Sequence, residues 1–214
     1  MLFLCNPNNP TGNTIPEQIL TEILQFCASK KIRVVADECF LRFHPHYEKM
    51  SCKRFLKQYP NLLIVNAFTK FYAMAGLRLG YLMTGDLSLL HAVAQQLPEW
   101  NVSSIAQRAG ISALQDTEYE KRTRQLIEKE RRYLIQEFLK MGCTVFPSEA
   151  DYITFRLPQE KTGFLLKERL LEGKILIRSC ANYRNMPPDC YRIAVKQHAD
   201  NEELVRQVWR ILIQ

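Results

Sequence analysis

Apolar positions along this chain recur with two different periods. Ile19, Leu20, Ile23, Leu24 and Cys27 return at helical spacing, which predicts an amphipathic helix over 16–30. Just before it, Thr14-Ile-Pro-Glu17 has the spacing of a capping box, with a proline inside the first turn. The opening residues MLFL form an unbroken apolar run and predict a buried strand. So do IRVVA (32–36), LLIVN (62–66) and LGYLMT (79–84). Near-continuous apolar strands separated by helices imply an α/β chain with a parallel or mixed sheet covered on both faces.

Further along, the pattern predicts helices at 87–97 and 103–115, then a long charged helix over 117–141 closed by Gly142. After that helix the rhythm changes. Short strands near 143–146, 151–156, 174–178 and 190–195 alternate with helices near 162–172 and 200–213. Thr162 is placed to cap the first of these helices and Gly173 to end it. The division falls near residue 115: a first domain over 1–115, then a small α+β domain over 116–214 that begins with the long connecting helix.

Composition narrows the classes of function. With 214 residues, 47% of them hydrophobic, the chain can bury a sizeable core. Its formal charge is +7, but the densest basic run, EYEKRTRQLIEKERRY, is laced with glutamate. Glu118–Arg122, Glu120–Arg124 and Glu128–Arg132 are i,i+4 pairs, so this reads as a solvated helix face and no nucleic-acid partner is expected. The cysteines number seven and none forms a C-x-x-C pair. They read as reduced core thiols of a cytoplasmic protein, with no disulfide framework or metal site expected. His44 and His46 are separated by a proline and read as loop residues. No apolar run approaches ~18 residues, so no membrane span is expected, and MLFL lacks the basic start and the length of a signal peptide.

Four stretches carry candidate chemistry. NPNNPTG (6–12) packs two prolines, three asparagines and a glycine into one turn, rigid enough to present a side chain. VVADECF puts Asp37 at the C-terminal end of an apolar strand, where ligands gather in open α/β sheets; a helix cap or loop acid is the alternative. NAFTKFYAMAGLRLGY places Lys70 among aromatic and small residues. An ammonium desolvated there has a lowered pKa, with the Thr69 hydroxyl beside it and the Arg78 fork eight residues on; a surface pair is the alternative. In ILIRSCANYRNMPPDCYRIAVK, Arg178 and Arg192 lie on or beside two predicted strands. If those strands pair, the two guanidinium groups converge on one anion; scattered surface arginines are the alternative.

NPNNPTG, ADECF, TK followed by an arginine eight positions later, and YRIAVK occur in one order. The ordered set, over essentially the whole chain, resembles the fold-type-I pyridoxal-phosphate enzymes of the class I/II aminotransferase superfamily. The resemblance implies pyridoxal 5'-phosphate as cofactor and assigns roles position by position. Asn9 matches the residue that hydrogen-bonds the cofactor's 3'-oxygen, and Asp37 the carboxylate that keeps the pyridine nitrogen protonated. Lys70 matches the Schiff-base lysine that later moves a proton, and Thr69 and Arg78 match phosphate ligands. Arg192 matches the anchor for a substrate anion, and Arg178 its helper in members with phosphorylated substrates. The first domain is then the C-terminal part of the cofactor-binding large domain. A homodimer is implied, since active sites of this family lie at a subunit interface.

Family members carry a long segment before the Asn-Pro-Thr-Gly turn, including a Gly/Ser phosphate loop and an aromatic that stacks on the pyridine. The expectation is therefore a C-terminal piece of a longer enzyme, inactive by itself. Within the family, the spacing is shared by threonine-phosphate decarboxylase of cobalamin biosynthesis and histidinol-phosphate aminotransferase. Phe40 stands where aminotransferases typically have a tyrosine, and TKFYAMAGLRLGYL and LIRSCANY look like the decarboxylase versions of their motifs. The expected substrate is thus a small phosphorylated amino acid or amine, L-threonine O-3-phosphate first. An aminotransferase, or a catalytically dead fragment, is the alternative. One departure is Ala67, where a Ser or Thr commonly binds the cofactor phosphate.

Overall fold

The apolar runs near the start of the chain become three parallel strands in the computed structural model, which describes residues 1–161 and 165–213. They are β1 (Leu2–Cys5), β2 (Val34–Asp37) and β3 (Leu62–Ala67), and β4 (Gly80–Thr84) joins antiparallel, giving the order β1-β2-β3-β4. Val34, Val35 and Ala36 are all buried, so both faces of β2 are covered. Helix α1 (Glu17–Ser29) lays Leu20, Leu24 and Cys27 against Val34, Ala36, Leu62 and Ile64. Each of its two buried leucines contributes roughly 2 kcal/mol through burial.

Two local expectations are corrected here. The opening strand is not buried throughout: Leu2 and Leu4 pack on the core, but Phe3 is 72% exposed. The reason is position, because β1 pairs only with β2 among the described residues and successive side chains point to opposite faces. Thr14 does not cap α1 either. The helix starts at Glu17 behind Pro16, with no side-chain cap. Ile15 precedes that proline and is disfavoured in helical geometry, so the helix cannot start earlier. Its N–H is instead held by Asn6 Oδ1 at 2.9 Å.

Downstream lie α2 (Tyr47–Met50), α3 (Leu87–Ala94), α4 (Ser104–Gln115) and α5 (Thr117–Lys140). Asp86 caps α3 by accepting from Leu89 N–H, and Ser103 caps α4 by accepting from Ala106 N–H. Gly142, at φ +77°, follows the end of α5 in a conformation that favours glycine. Then β5 (Thr144–Val145), β6 (Tyr152–Arg156), β7 (Arg178–Ser179) and β8 (Cys190–Ala194) form a second sheet, antiparallel throughout, in the order β5-β6-β8-β7. Helices α6 (Leu166–Glu172) and α7 (His198–Ile213) accompany it. Gly173 is the C-cap of α6; Thr162, its expected N-terminal cap, lies outside the described residues. The strand expected near 174–178 begins only at Arg178. Lys174 sits at φ +62° and Ile175 N–H still bonds to Leu170 O, so the chain stays wrapped around the end of α6 before it can pair.

The charged helix is also less solvated than its sequence implies. Glu120, Glu130 and Arg131 of α5 are buried. A buried charge is tolerated only with partners, and each has them: Arg42 and Tyr72 for Glu120, His198 and Asn201 for Glu130, and the Ala150 carbonyl for Arg131. The chain forms two compact units. One comprises Met1–Asn8 with Thr14–Lys121, the other Asn9–Asn13 with Arg122–Gln214. None of the seven cysteines is in a disulfide, and five of them are buried. No helix among the described residues is long and apolar enough to cross a membrane.

Candidate active site

In the first unit Cys5 and Asp37 end β1 and β2 in register with Val65, and β3 runs on to Ala67. Asn6 N–H donates to the Asp37 carbonyl at 2.9 Å, and Cys39 N–H donates to Asp37 Oδ1 at 2.9 Å. The second bond turns the chain sharply after β2 and fixes the carboxylate at the strand's end. Burial pushes the Cys39 thiol up to about 12. The hydrogen bond and charge of Asp37, and then Cys5, add to this, while the Lys70 ammonium opposes it. Cys39 is therefore a neutral thiol within electrostatic reach of both Asp37 and Lys70. Lys70 Nζ also lies 5.7 Å from the centroid of the Phe40 ring. Asp37 and Lys70, 33 positions apart in sequence, thus share a neighbourhood built by residues 39 and 40.

The loop after β3 carries the other cationic groups. Thr69 is half-buried, while Lys70 and Arg78 are exposed. Phe68, Phe71 and Tyr72, on either side of Lys70, turn inward to the core. Arg78 Nη1 donates to the Ala75 carbonyl at 3.2 Å. Ala73 and Arg78 both adopt left-handed backbone angles, at φ +53° and +54°. For residues with a Cβ this costs about 1–2 kcal/mol each, a cost that persists where the surrounding structure holds the loop in place. A separate cavity of about 360 Å³ in this unit, bordered by Glu38, Arg42, Tyr47, Ser51, Asn66 and Tyr81, is not lined by Lys70.

The second unit carries two of the candidate arginines on paired strands. Strands β7 and β8 pair, and their register sets Arg178 directly opposite Arg192. Directly opposed side chains share a face, and two like charges so placed repel by several tenths of a kcal/mol, about 0.2–1. Aromatic faces and oxygen acceptors offset this. Arg178 lies over the Tyr183 ring at 5.7 Å and donates to Asn182 Oδ1 at 3.1 Å. Arg192 lies over the Tyr152 ring at 5.0 Å, and its Nη1 donates to Asn9 Oδ1. Tyr183 Oη donates to the same Asn9 oxygen at 3.2 Å. Both bonds use the carbonyl side of the Asn9 amide, which orients its NH₂ as a donor.

The Asn9–Asn13 turn is held to this unit by its backbone. Thr154 Oγ1 donates to the Pro10 carbonyl, and Glu149 N–H donates to the Gly12 carbonyl at 2.8 Å. Tyr152, Asn182 and Tyr183 were not singled out from sequence. Tyr183 lies five residues after Arg178 within the motif LIRSCANY, and an aromatic that close to a candidate anion-binding arginine was the available signal.

The family model for aminotransferase class I and II matches residues 1–208. The chain is similar to the threonine-phosphate decarboxylase of Salmonella typhimurium, with 37% identity over 212 residues that cover 99% of this chain and 57% of that protein. Among solved structures it is similar to the histidinol-phosphate aminotransferase from Clostridium acetobutylicum, with TM-score 0.92, 31% identity, and coverage of 99% of this chain and 63% of that one. It shares the fold of the histidinol-phosphate aminotransferase from Sinorhizobium meliloti, solved in complex with pyridoxal-5'-phosphate. There the TM-score is 0.85, the identity 23%, and the coverage 99% of this chain and 56% of that one. The chain thus spans little more than half the length of the curated relatives it matches. A family model that runs through both units, over a mixed sheet of the same fold, makes this chain a member of the aminotransferase class I and II family.

Proposed function

We propose that this chain is part of a pyridoxal 5'-phosphate enzyme that decarboxylates L-threonine O-3-phosphate, a step of cobalamin biosynthesis. The observation that carries the reading is the β7–β8 register, which sets Arg178 opposite Arg192, a pair of forks suited to a dianionic phosphate. The fit of the cofactor rests on the donor set of the first unit. A carboxylate fixed at a strand end, a lysine amine nearby and an arginine on the same loop match a protonated ring nitrogen, an aldehyde and a phosphate. When bound, the cofactor supplies an electron sink for the bond broken at the substrate's Cα.

The chain's own residues then divide the work. Asp37 would hold the proton on the ring nitrogen, and Lys70 would hold the cofactor's aldehyde and supply a proton at Cα. Asn9 would offer its amide NH₂ to the 3'-oxygen, and Thr69 and Arg78 would bind the cofactor phosphate. Arg178 and Arg192 would grip the substrate phosphate and leave its carboxylate free of the grip. Position matters because only the bond perpendicular to the ring delocalises into it. The exposure of Lys70 fits an enzyme completed by further chain and by a second subunit. We ascribe the activity to the longer protein as a cytoplasmic homodimer, and this chain alone is inactive in that reading.

The likeness of 0.92 in TM-score to a histidinol-phosphate aminotransferase supports a second reading, transamination of histidinol phosphate. One experiment separates the two. Full-length protein with pyridoxal 5'-phosphate receives O-phosphothreonine in one assay, and histidinol phosphate with 2-oxoglutarate in another. Release of CO₂ in the first is the expected result. Glutamate in the second, with no CO₂ in the first, overturns the decarboxylase and leaves the aminotransferase.

A further inference from the structure

The Lys70 loop is clamped from the first turn of a helix that begins 47 positions later in sequence. Asp116 Oδ1 accepts from Tyr119 N–H at 2.9 Å, a cap that fixes how residues 119 and 120 leave the start of α5. From there Tyr119 Oη donates to the Phe71 carbonyl at 2.9 Å, and Tyr72 Oη donates to Glu120 Oε1 at 2.5 Å. Both residues that follow Lys70 are therefore tied to the same helical turn. Arg42, from the segment that continues from Asp37, closes the knot. Its Nε and Nη2 both donate to Glu120 Oε1, and its guanidinium lies 5.0, 5.7 and 5.3 Å from the ring centroids of Tyr47, Phe71 and Tyr72. Glu120, Phe71 and Tyr72 are all buried.

Backbone geometry shows independently that this loop needs holding. Ala73 sits at φ +53°, a conformation that an alanine keeps only where its surroundings over-determine it. Its N–H donates to the Lys70 carbonyl at 3.1 Å, so the strained residue and the lysine belong to one tight turn. A carboxylate buried against an arginine and a tyrosine is costly to assemble, and replacing such a cluster with apolar residues is often neutral or stabilising. Stability alone does not account for it.

We propose that Glu120, Arg42 and Tyr72 are positioning residues that hold the Lys70 turn in place for the cofactor. The knot joins the segment after Asp37, the turn that carries Lys70 and the cap of α5, so the acid and the amine of the site are set by one shared set of bonds. The proposal rests on the reading of Lys70 as the cofactor's lysine.

The test is amide hydrogen exchange on the full-length protein, with Tyr72→Phe and Glu120→Gln as variants and Arg132→Gln, on the exposed part of α5, as control. Losing one hydrogen bond at Tyr72 raises exchange of the peptide spanning 68–74 about threefold to tenfold. Glu120→Gln, which strands Arg42, raises it further, while peptides of α1 and the control variant stay unchanged. In parallel, pyridoxal 5'-phosphate is added and reduced with borohydride, and the labelled lysine is identified. Labelling of the unsubstituted protein at Lys70 with a several-fold weaker half-saturation in both variants supports the proposal. Unchanged exchange over 68–74, or a uniform rise across the first unit, overturns it. Labelling at another lysine overturns the reading of Lys70, and the assigned purpose of the clamp with it, even if the exchange result stands.

Discussion

Gly12 closes the turn that carries Asn9, and adding one methyl group there tests how tightly that turn is held. Gly12 adopts φ +88°, where a residue with a Cβ pays about 1 kcal/mol relative to glycine. An alanine Cβ would also lie 2.2 Å from Ser148 Oγ, 2.7 Å from Ser148 Cβ and 3.1 Å from Ser148 Cα. Turning the hydroxyl away breaks its 2.5 Å bond to the Tyr152 carbonyl and its 3.3 Å bond from Ala150 N–H, about 1 kcal/mol each. The approach to the Ser148 main chain cannot be relieved by side-chain rotation and forces backbone to move. Gly12→Ala should therefore destabilise the second unit by roughly 3–5 kcal/mol. It should also loosen Asn9 from Arg192 and Tyr183. Denaturant unfolding gives the first quantity, and Gly12→Ala/Ser148→Gly isolates the steric part. Removing Ser148's side chain should relieve the clash but not the backbone strain at residue 12, so the two changes should be non-additive. A Gly12→Ala protein within about 0.5 kcal/mol of the parent, or an additive double variant, would refute the argument.

Asp37→Asn keeps the acceptor for Cys39 N–H while removing the charge, so the fold should survive. Turnover should fall at least about a hundredfold, since fixed charge at a reacting group is often the largest catalytic contribution; unchanged turnover would make Asp37 structural. Glu38 gives a pH prediction. Burial raises its pKa, against the opposing bonds from Cys52 N–H and Ser51 Oγ. A carboxyl raised in the folded state contributes stability that is full below its unfolded value, near 4.5, and is lost as pH rises through the folded one. Unfolding free energies between pH 4 and 7 should therefore show this loss in the parent and a flatter profile in Glu38→Gln; identical profiles would sink the assignment. Arg192→Lys replaces a fork with a point charge, so KM for the phosphorylated substrate should rise about tenfold or more. A change confined to kcat would argue against a binding role.

Hydrophobic periodicity by itself determined the element types and most of their order. Period and burial are local consequences of each other, so α1 and the strands at β2, β3 and β4 were legible from single runs of residues. The ordered motifs, through the family they resemble, nominated Asn9, Asp37, Thr69, Lys70, Arg78, Arg178 and Arg192 as candidates. What periodicity could not show was which neighbours each face would meet. Phe3 is exposed because β1 pairs with β2 alone among the described residues, Thr14 is bypassed because Pro16 dictates where α1 begins, and Glu120 is buried because Arg42 and Tyr72, distant in sequence, supply its partners. The opposition of Arg178 and Arg192 was a conditional in the sequence, and only strand register decided it. The division of the opening turn is of the same kind. Its bonds to Thr154 and Glu149 tie Asn9–Asn13 to the second unit, and long-range hydrogen bonds of that sort leave no periodic trace in the chain that forms them.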